Sequence, residues 1–311
     1  MNVNEMQTAI RAVTDNEFGL EAFSVLKNDN ELSLAKFLLN DELCRNVKGL
    51  LVGVLNSGYL GEETELDEIE NIADNRKVFY EIPQSEEYKP FSFLSTYADV
   101  TAIYKEEIVD QLFGFAFRFS VNDTSFWIYQ QISYPQLIKR STNLYAILYR
   151  GNIYSPLKKD VLKIEGKADC LIIGNSIITS KIDLMQRFFQ FEVYVRREAG
   201  KTIELISAME IVDNLDKFIA VGAQKALTNA KKLVKAKHSP VLRMDKETLL
   251  HKLNTLPRYK DKFDITDGKI VISNQKQAVE FIKMLNDSIL KSELTDAEYD
   301  STVKIELAPM E

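Results

Sequence analysis

Glu165-Gly166-Lys167, following the apolar stretch Val161–Ile164, is the tightest grouping of residues able to do chemistry in this sequence. An acid-x-Lys pair on a strand, completed by an upstream acid such as Asp160 or Asp123, can hold magnesium on its carboxylates while the lysine positions an attacking water. With 46 acids and 39 bases in 311 residues, about six acid-x-base triplets arise by chance. Gly166 also suits a plain turn between two strands. There is no GxxxxGK[ST] loop, no GxGxxG turn and no GxSxG elbow. The two histidines, His238 and His251, stand beside cationic side chains that oppose metal binding, and read as surface residues. Cys44 and Cys170 are too few for a disulfide framework or a thiolate zinc site. Their apolar neighbours make them buried free thiols. No catalytic residue, metal or cofactor is therefore expected.

A second constellation is electrostatic. The net charge is −7, yet residues 217–244 contain seven Lys or Arg residues and no acid, while ten acids between Glu62 and Glu87 face only Arg76 and Lys77. Segregated charge lets an acidic chain present a basic surface. On a helix, Lys217, Lys225, Lys232 and Lys235 fall near one face, and Lys231 and Lys237 flank it. Arg243 follows in the loop, and Arg258, Lys260 and Lys262 surround Tyr259 in a second cluster. Lysines so placed meet phosphates without reading base edges, which gives sequence-independent, salt-sensitive binding to nucleic acid. The bland counterpart is a solvated helix face.

The elements that must position these residues follow from apolar periodicity. Phe113, Phe115, Phe117 and Phe119 alternate with smaller or polar residues, which puts four phenylalanines on one face of a strand. The turn residues Val121 to Thr124 and the apolar run Phe126 to Ile132 complete a hairpin. Further strands are expected at 145–149, 161–164, 169–173 and 176–179, forming an antiparallel meander. Upstream, 18–26 has strand character, 32–39 has helical spacing, 47–55 is apolar up to the Asn56-Ser57-Gly58 breaker, and 78–80 is a short strand stopped at Pro83. Downstream the chain turns helical. Asp213 and Asp216 open a helix to about Lys237, stopped by Ser239-Pro240. A hairpin centres on Asp267-Gly268, Asn274 caps a helix carrying Ala278, Phe281, Ile282, Leu285 and Ile289, and Thr295 with Glu298 forms a capping box for a last short helix. Strands followed by helices make the fold class α+β: a mixed N-terminal domain over 1–90 containing the acidic segment, and a second domain over 91–311, an antiparallel meander with C-terminal helices and the basic helix. No stretch approaches the roughly 18 apolar residues of a membrane span. The start, Met1-Asn2-Val3-Asn4-Glu5, lacks a signal core, so the cytoplasm is the expected compartment.

The run from Phe281 to Tyr299, with Leu285-Asn286-Asp287 closing a helix and Ser292-Glu293-Leu294-Thr295 leading to a tyrosine, resembles the closing signature of the KwaB family, the soluble component of the Kiwa anti-phage defence system. Lys304 matches its final lysine-bearing strand. Leu112-Phe113-Gly114-Phe115 through Trp127-Ile128-Tyr129-Gln130, and Asp160-Val161-Leu162 through Asp169, Ile172, Ile173 and Phe188-Phe189, fit the same pattern. The resemblance runs from about residue 110 to the end. It implies a DNA-binding effector that interferes with phage DNA metabolism, partnered by the membrane protein KwaA and recruited through it to the inner membrane. The family offers no agreed catalytic residues to carry over.

Joined to the basic stretch, this reading places DNA backbone contact on Lys225, Lys231, Lys232, Lys235, Lys237, Arg243, Arg258, Lys260 and Lys262, in a homodimer or dimer of dimers that obstructs replication or transcription. The alternatives are a magnesium-dependent nuclease of the PD-(D/E)xK type, and an assembly subunit in which the acidic segment of one chain meets the basic helix of another.

Overall fold

Phe115, Phe117 and Phe119 lie on one face of a ten-residue strand and are enclosed, as their alternation predicts. Phe113, at the strand's start, is half-buried, with Lys27 Nζ 5.4 Å from its ring centroid. The computed structural model describes residues 1–29, 31–68, 78–103, 110–132, 137–138, 147–150, 153–156, 161–220, 226–256, 259–260, 262–287, 289–291 and 298–300. The fold is α+β.

Two compact units divide the chain, one of Met1–Ile69 with Lys77–Asp183 and one of Glu70–Arg76 with Leu184–Glu311. The first holds α1 (Val3–Thr14), β1 (Gly19–Asn28), β2 (Glu31–Lys36), α2 (Asp41–Val54), β3 (Leu66–Glu68), β4 (Phe79–Pro83), β5 (Leu112–Val121) and β6 (Thr124–Gln131). Then come the short pairing partners β7 (Leu137–Ile138) to β10 (Val161–Leu162) and β8 (Ile147–Arg150) to β9 (Ile153–Pro156), followed by β11 (Cys170–Ile173) and β12 (Ser176–Thr179). Eight strands form one sheet in the order β2-β1-β5-β6-β11-β12-β4-β3, antiparallel except for β3 beside β4. β5, β6, β11 and β12 run as a meander, but the strands expected at 145–149 and 161–164 do not join it: β8 pairs with β9 and β10 with β7 in separate two-stranded ladders.

The division expected at residue 90 does not match this sheet. β1 pairs with β5, with Ala22 opposite Phe117, and β4 pairs with β12, with Ile82 opposite Ile177, so strands from both sides of residue 90 share one ladder. Spacing within a segment reports its face but not its partner, and the partners here lie about ninety residues away. The stretch 32–39, expected as a helix, is the strand β2: Asp29 takes a positive φ of 52° at the turn, and Val25 stands opposite Leu34. Pairing along β1 overrides the local helical spacing.

One sheet face presents Phe115, Phe117, Phe119, Phe126, Ile128, Leu171, Ile173 and Ile178 to a core shared with Met6, Ile10 and Val13 of α1 and Val47, Leu51 and Leu55 of α2. Each such fully buried side chain contributes roughly 1.5–3 kcal/mol. Asn2 caps α1 reciprocally, its Oδ1 accepting from Glu5 N (2.9 Å) while Glu5 Oε2 accepts from Asn2 N (2.8 Å). Gly114 is required where β5 crosses β6, since a Cβ there would sit 2.7 Å from the Tyr129 ring and 2.8 Å from the Gln130 carbonyl. The opposite face carries Phe23, Trp127 and Tyr129, met by Phe91, Leu94 and Tyr97 around a 3-10 segment, Ser92–Asp99.

The second unit is helical, and α3 (Ile182–Phe188) runs across the division. It contains α4 (Phe191–Ala208), α5 (Leu215–Phe218), α6 (Leu227–Ala236), α7 (Lys246–Thr255), the hairpin β13 (Asp264–Thr266) to β14 (Lys269–Val271), α8 (Gln275–Leu285), and β15 (Ile289–Lys291) paired with β16 (Glu298–Asp300). Asp267 and Gly268 turn the hairpin with φ of 51° and 68°, the geometry that dipeptide favours. Asn274 caps α8 through Gln277 N (3.0 Å), and Ala278, Phe281, Ile282 and Leu285 are buried along it.

Two helical expectations fail. The helix expected from Asp213 to Lys237 is instead two helices, α5 and α6, because Ala226 before α6 takes an extended backbone (φ −138°, ψ 132°). At the head of α5 the Asn214 side chain bonds the Ile272 backbone, donating from Nδ2 (3.0 Å) and accepting at Oδ1 (3.2 Å). Thr295 lies outside the described residues, and Glu298, expected within a last short helix, opens the strand β16, with Tyr299 opposite Leu290. Lys304 and the strand expected around it lie outside the described residues.

Candidate nucleic-acid interface

α6 is built to show one face. Asn229, Ala230, Leu233, Val234 and Ala236 are buried. At 100° per residue they fill one side of the helix, while Lys231, Lys235 and Lys232 fall within an arc of about 100° on the other. The three lysines are half-buried. Lys235 sits in the last turn, where a cation complements the helix dipole. Asn286 Nδ2 donates to both Lys232 O and Ile282 O at 2.8 Å, tying α6 to the end of α8. Lys231 and Lys232 carry no ion pair among the described residues.

The remaining sequence-derived residues are distributed less evenly. Lys217 is exposed on α5, and Arg243 is exposed at the end of the short turn Pro240–Arg243. Lys260 is exposed in a turn, whereas Lys262 lies 3.0 Å from Glu280, which Lys283 also approaches at 3.9 Å. Lys237 follows the buried side of α6, with its Nζ 4.0 Å from Glu198 Oε2. Lys225 and Arg258 lie outside the described residues. His238 and His251 are exposed, as their cationic neighbours suggest.

Glu198 leads to residues that spacing within the acid-free stretch passed over. Its side chain is 5% exposed on α4, and Oε1 accepts from Arg197 Nε (3.0 Å), Arg197 Nη2 (2.8 Å) and Lys201 Nζ (2.8 Å). Burial opposes its charge, yet the hydrogen bonds from Lys201 and Arg197 outweigh burial and hold the carboxyl below its usual range. One carboxylate thus gathers three cations where α4 packs on α6. The signal was present as Arg196-Arg197-Glu198-x-x-Lys201. It reads as an ordinary helical ion-pair pattern until α6 is packed beside it.

The family model for Kiwa protein KwaB-like matches residues 109–295, more than half of the chain, from just before β5 to beyond α8. The chain belongs to the KwaB-like family. That family makes it a component of Kiwa anti-phage defence. No curated protein and no solved structure matches it. Among the described residues of this KwaB-like chain, no helix is long and apolar enough to cross a membrane.

The acid-x-Lys grouping lies in the other unit, within the family-matched region. Lys167 Nζ is 3.3 Å from Glu165 Oε2 and 3.6 Å from Asp169 Oδ2, and it donates to Gln131 O at 3.1 Å. Asp169 Oδ2 also accepts from Gln131 N (2.8 Å), and the Gln130 amide donates to the Glu165 and Lys167 carbonyls at 2.9 and 2.6 Å. Asp123 is exposed at the tip of the β5–β6 hairpin. It is eight residues along β6 from Gln131, about 26 Å at strand rise, so Asp169 rather than Asp123 is the acid beside Lys167. Asp160 lies outside the described residues. Among those described, no three His, Cys, Asp or Glu side chains are grouped to hold a metal. Burial pushes the Cys170 thiol far above its usual range, so it stays protonated, and Cys44 is a half-buried free thiol.

Proposed function

We propose that this chain acts in Kiwa defence by holding DNA through its phosphates and obstructing replication or transcription without cutting. The observation that carries the reading is the lysine face of α6, where Lys231, Lys232 and Lys235 share one side of a helix whose other side is buried. The cations gathered at Glu198, namely Arg197, Lys201 and Lys237, support it from where α4 packs on α6. Arg243 and Lys260 extend the cationic set, while Lys262 contributes less because Glu280 already faces it. Lysines facing phosphates give binding that is independent of sequence and sensitive to salt.

Charge reversal at Lys231, Lys232 and Lys235 together is the test, read by mobility shift on unrelated duplexes over a range of salt. We expect equal weakening on every duplex and a log K against log [salt] slope reduced by about 2–3. Unchanged affinity removes α6 from the interface. The membrane protein KwaA of the same system and a second copy of this chain are the partners proposed alongside DNA.

A nuclease is the second reading, favoured by one observation: Lys167 lies between two carboxylates, Glu165 and Asp169, where the chain enters β11 beside the end of β6. Magnesium-dependent cleavage of plasmid that disappears in Glu165→Ala would move it ahead of obstruction.

A further inference from the structure

On the sheet face opposite α1 and α2, a cleft of about 440 Å³ opens between β6, β11 and the 3-10 segment 92–99. Its floor is Trp127 and Ile172, and Phe91, Leu94 and Tyr97 wall it. Small-molecule sites are of this size, roughly 300–1,000 Å³. Here Tyr97 offers the half-exposed ring, Phe91 and Trp127 are largely buried behind it, and serines and amides supply much of the remaining lining. The aromatic wall is fixed before any ligand arrives. The Arg118 guanidinium sits 4.3 Å over the Tyr97 ring and is held by Glu21 at 2.7 Å, and the Tyr97 and Trp127 rings meet edge-on at 5.5 Å.

The mouth carries charge of one sign. Lys89 lines it, exposed and without an ion pair among the described residues, and none of the lining residues is Asp or Glu although the chain has 46 acids. The polar remainder is hydroxyl and amide: Ser92, Ser95 and Ser125, with the Gln84 side chain. Asn175 Nδ2 is occupied by the Gln84 carbonyl at 2.6 Å, which leaves its Oδ1 as an acceptor. Aromatic surfaces suit a planar ring, amides and hydroxyls suit ring nitrogens and exocyclic groups, and a lone lysine suits one phosphate as a point charge.

We infer that this cleft binds a small planar heteroaromatic anion of the nucleoside monophosphate class. The site is separate from the lysines of α6 and independent of whether they hold DNA. No chemical step is assigned to it.

Trp127 is the only tryptophan in the chain, so its emission reports on the cleft alone. The purified full chain is titrated with the four common nucleoside 5′-monophosphates, the matching nucleosides and inorganic phosphate, by tryptophan fluorescence and in parallel by calorimetry. We expect saturable binding of at least one monophosphate with Kd below about 1 mM. Its nucleoside should bind about fivefold more weakly, and Lys89→Ala should bring the monophosphate down to the nucleoside's affinity. The triple charge reversal on α6 should leave this binding intact. The inference is overturned if no monophosphate gives a saturable signal by either method. It is equally overturned if inorganic phosphate binds as tightly as the monophosphate, or if Lys89→Ala binds the monophosphate like the parent chain.

Discussion

Lys167 and Lys232 show how differently the two units treat one residue type. In the sheet unit, Lys167 is met by Glu165, Asp169 and the Gln131 carbonyl, all within 3.6 Å. In the helical unit, Lys232 is secured through its backbone carbonyl by Asn286, and its ammonium carries no ion pair among the described residues. The first lysine has its charge answered where it stands. The second is placed by main-chain bonding, and no described residue answers its charge. Counting cations along a sequence does not distinguish these two situations; knowing what holds each one does.

The largest effect belongs to the sheet. Phe117 is completely buried on β5, and Phe117→Ala should lower unfolding free energy by about 3–5 kcal/mol in urea denaturation. Lys231→Glu, on the half-buried face of α6, should cost no more than about 0.5 kcal/mol. Comparable losses from the two would mean that the lysine face is a structural element and not a surface kept for a partner.

Next in size is the answered lysine. Asp169→Ala strips Lys167 of its buried partner and leaves Gln131 N without its acceptor, an expected loss of about 2–3 kcal/mol. Lys167→Met in that background should recover part of it if an ammonium left with only the more exposed Glu165 as counter-charge is the main cost. Full additivity of the two changes would show that the pair contributes nothing as a pair. Smaller again is Asn286→Ala, at about 1 kcal/mol for the bonds to Lys232 O and Ile282 O. It should also weaken DNA binding measurably, because it frees the helix that aims the lysines. Lost stability with unaltered affinity would detach placement from function.

Local patterns were legible where local physics decides. The β5–β6 hairpin follows from alternating phenylalanines and a turn in which Asn122 accepts a φ of 48°. The Asp267-Gly268 hairpin and the Asn274 cap follow from two or three residues each, and the family was legible in the closing run of α8. Pairings over long separations were not. The helical spacing of 32–39 gave way to pairing with β1, and the boundary at 90 gave way to β1 beside β5 and β4 beside β12. The site divides along the same line. Lys231, Lys232 and Lys235 share a face by helical spacing alone, whereas Glu198 gathers Lys237 only because α4 packs against α6, and Asp169 reaches Lys167 only because of how the chain turns before β11.

Glu198→Gln should have the smallest effect on binding and the most direct bearing on the contrast between answered and unanswered charge. The carboxyl is held below its usual range by Lys201 and Arg197 against the opposing effect of burial. A carboxyl whose folded pKa lies below its unfolded value, near 4.3, stabilises the fold at pH above that value, and the contribution disappears as pH falls through the folded pKa. The stability gap between the parent chain and Glu198→Gln should therefore be full at neutral pH and close under acid. At neutral pH the same change removes one negative charge from beside Arg197, Lys201 and Lys237. If these three contribute to the phosphate surface, DNA affinity should rise about two- to fivefold, more at low salt than at high. A gap in stability that closes with acid while affinity stays constant would make the α4 cluster a purely internal clamp, leaving the lysine face of α6 to meet DNA alone.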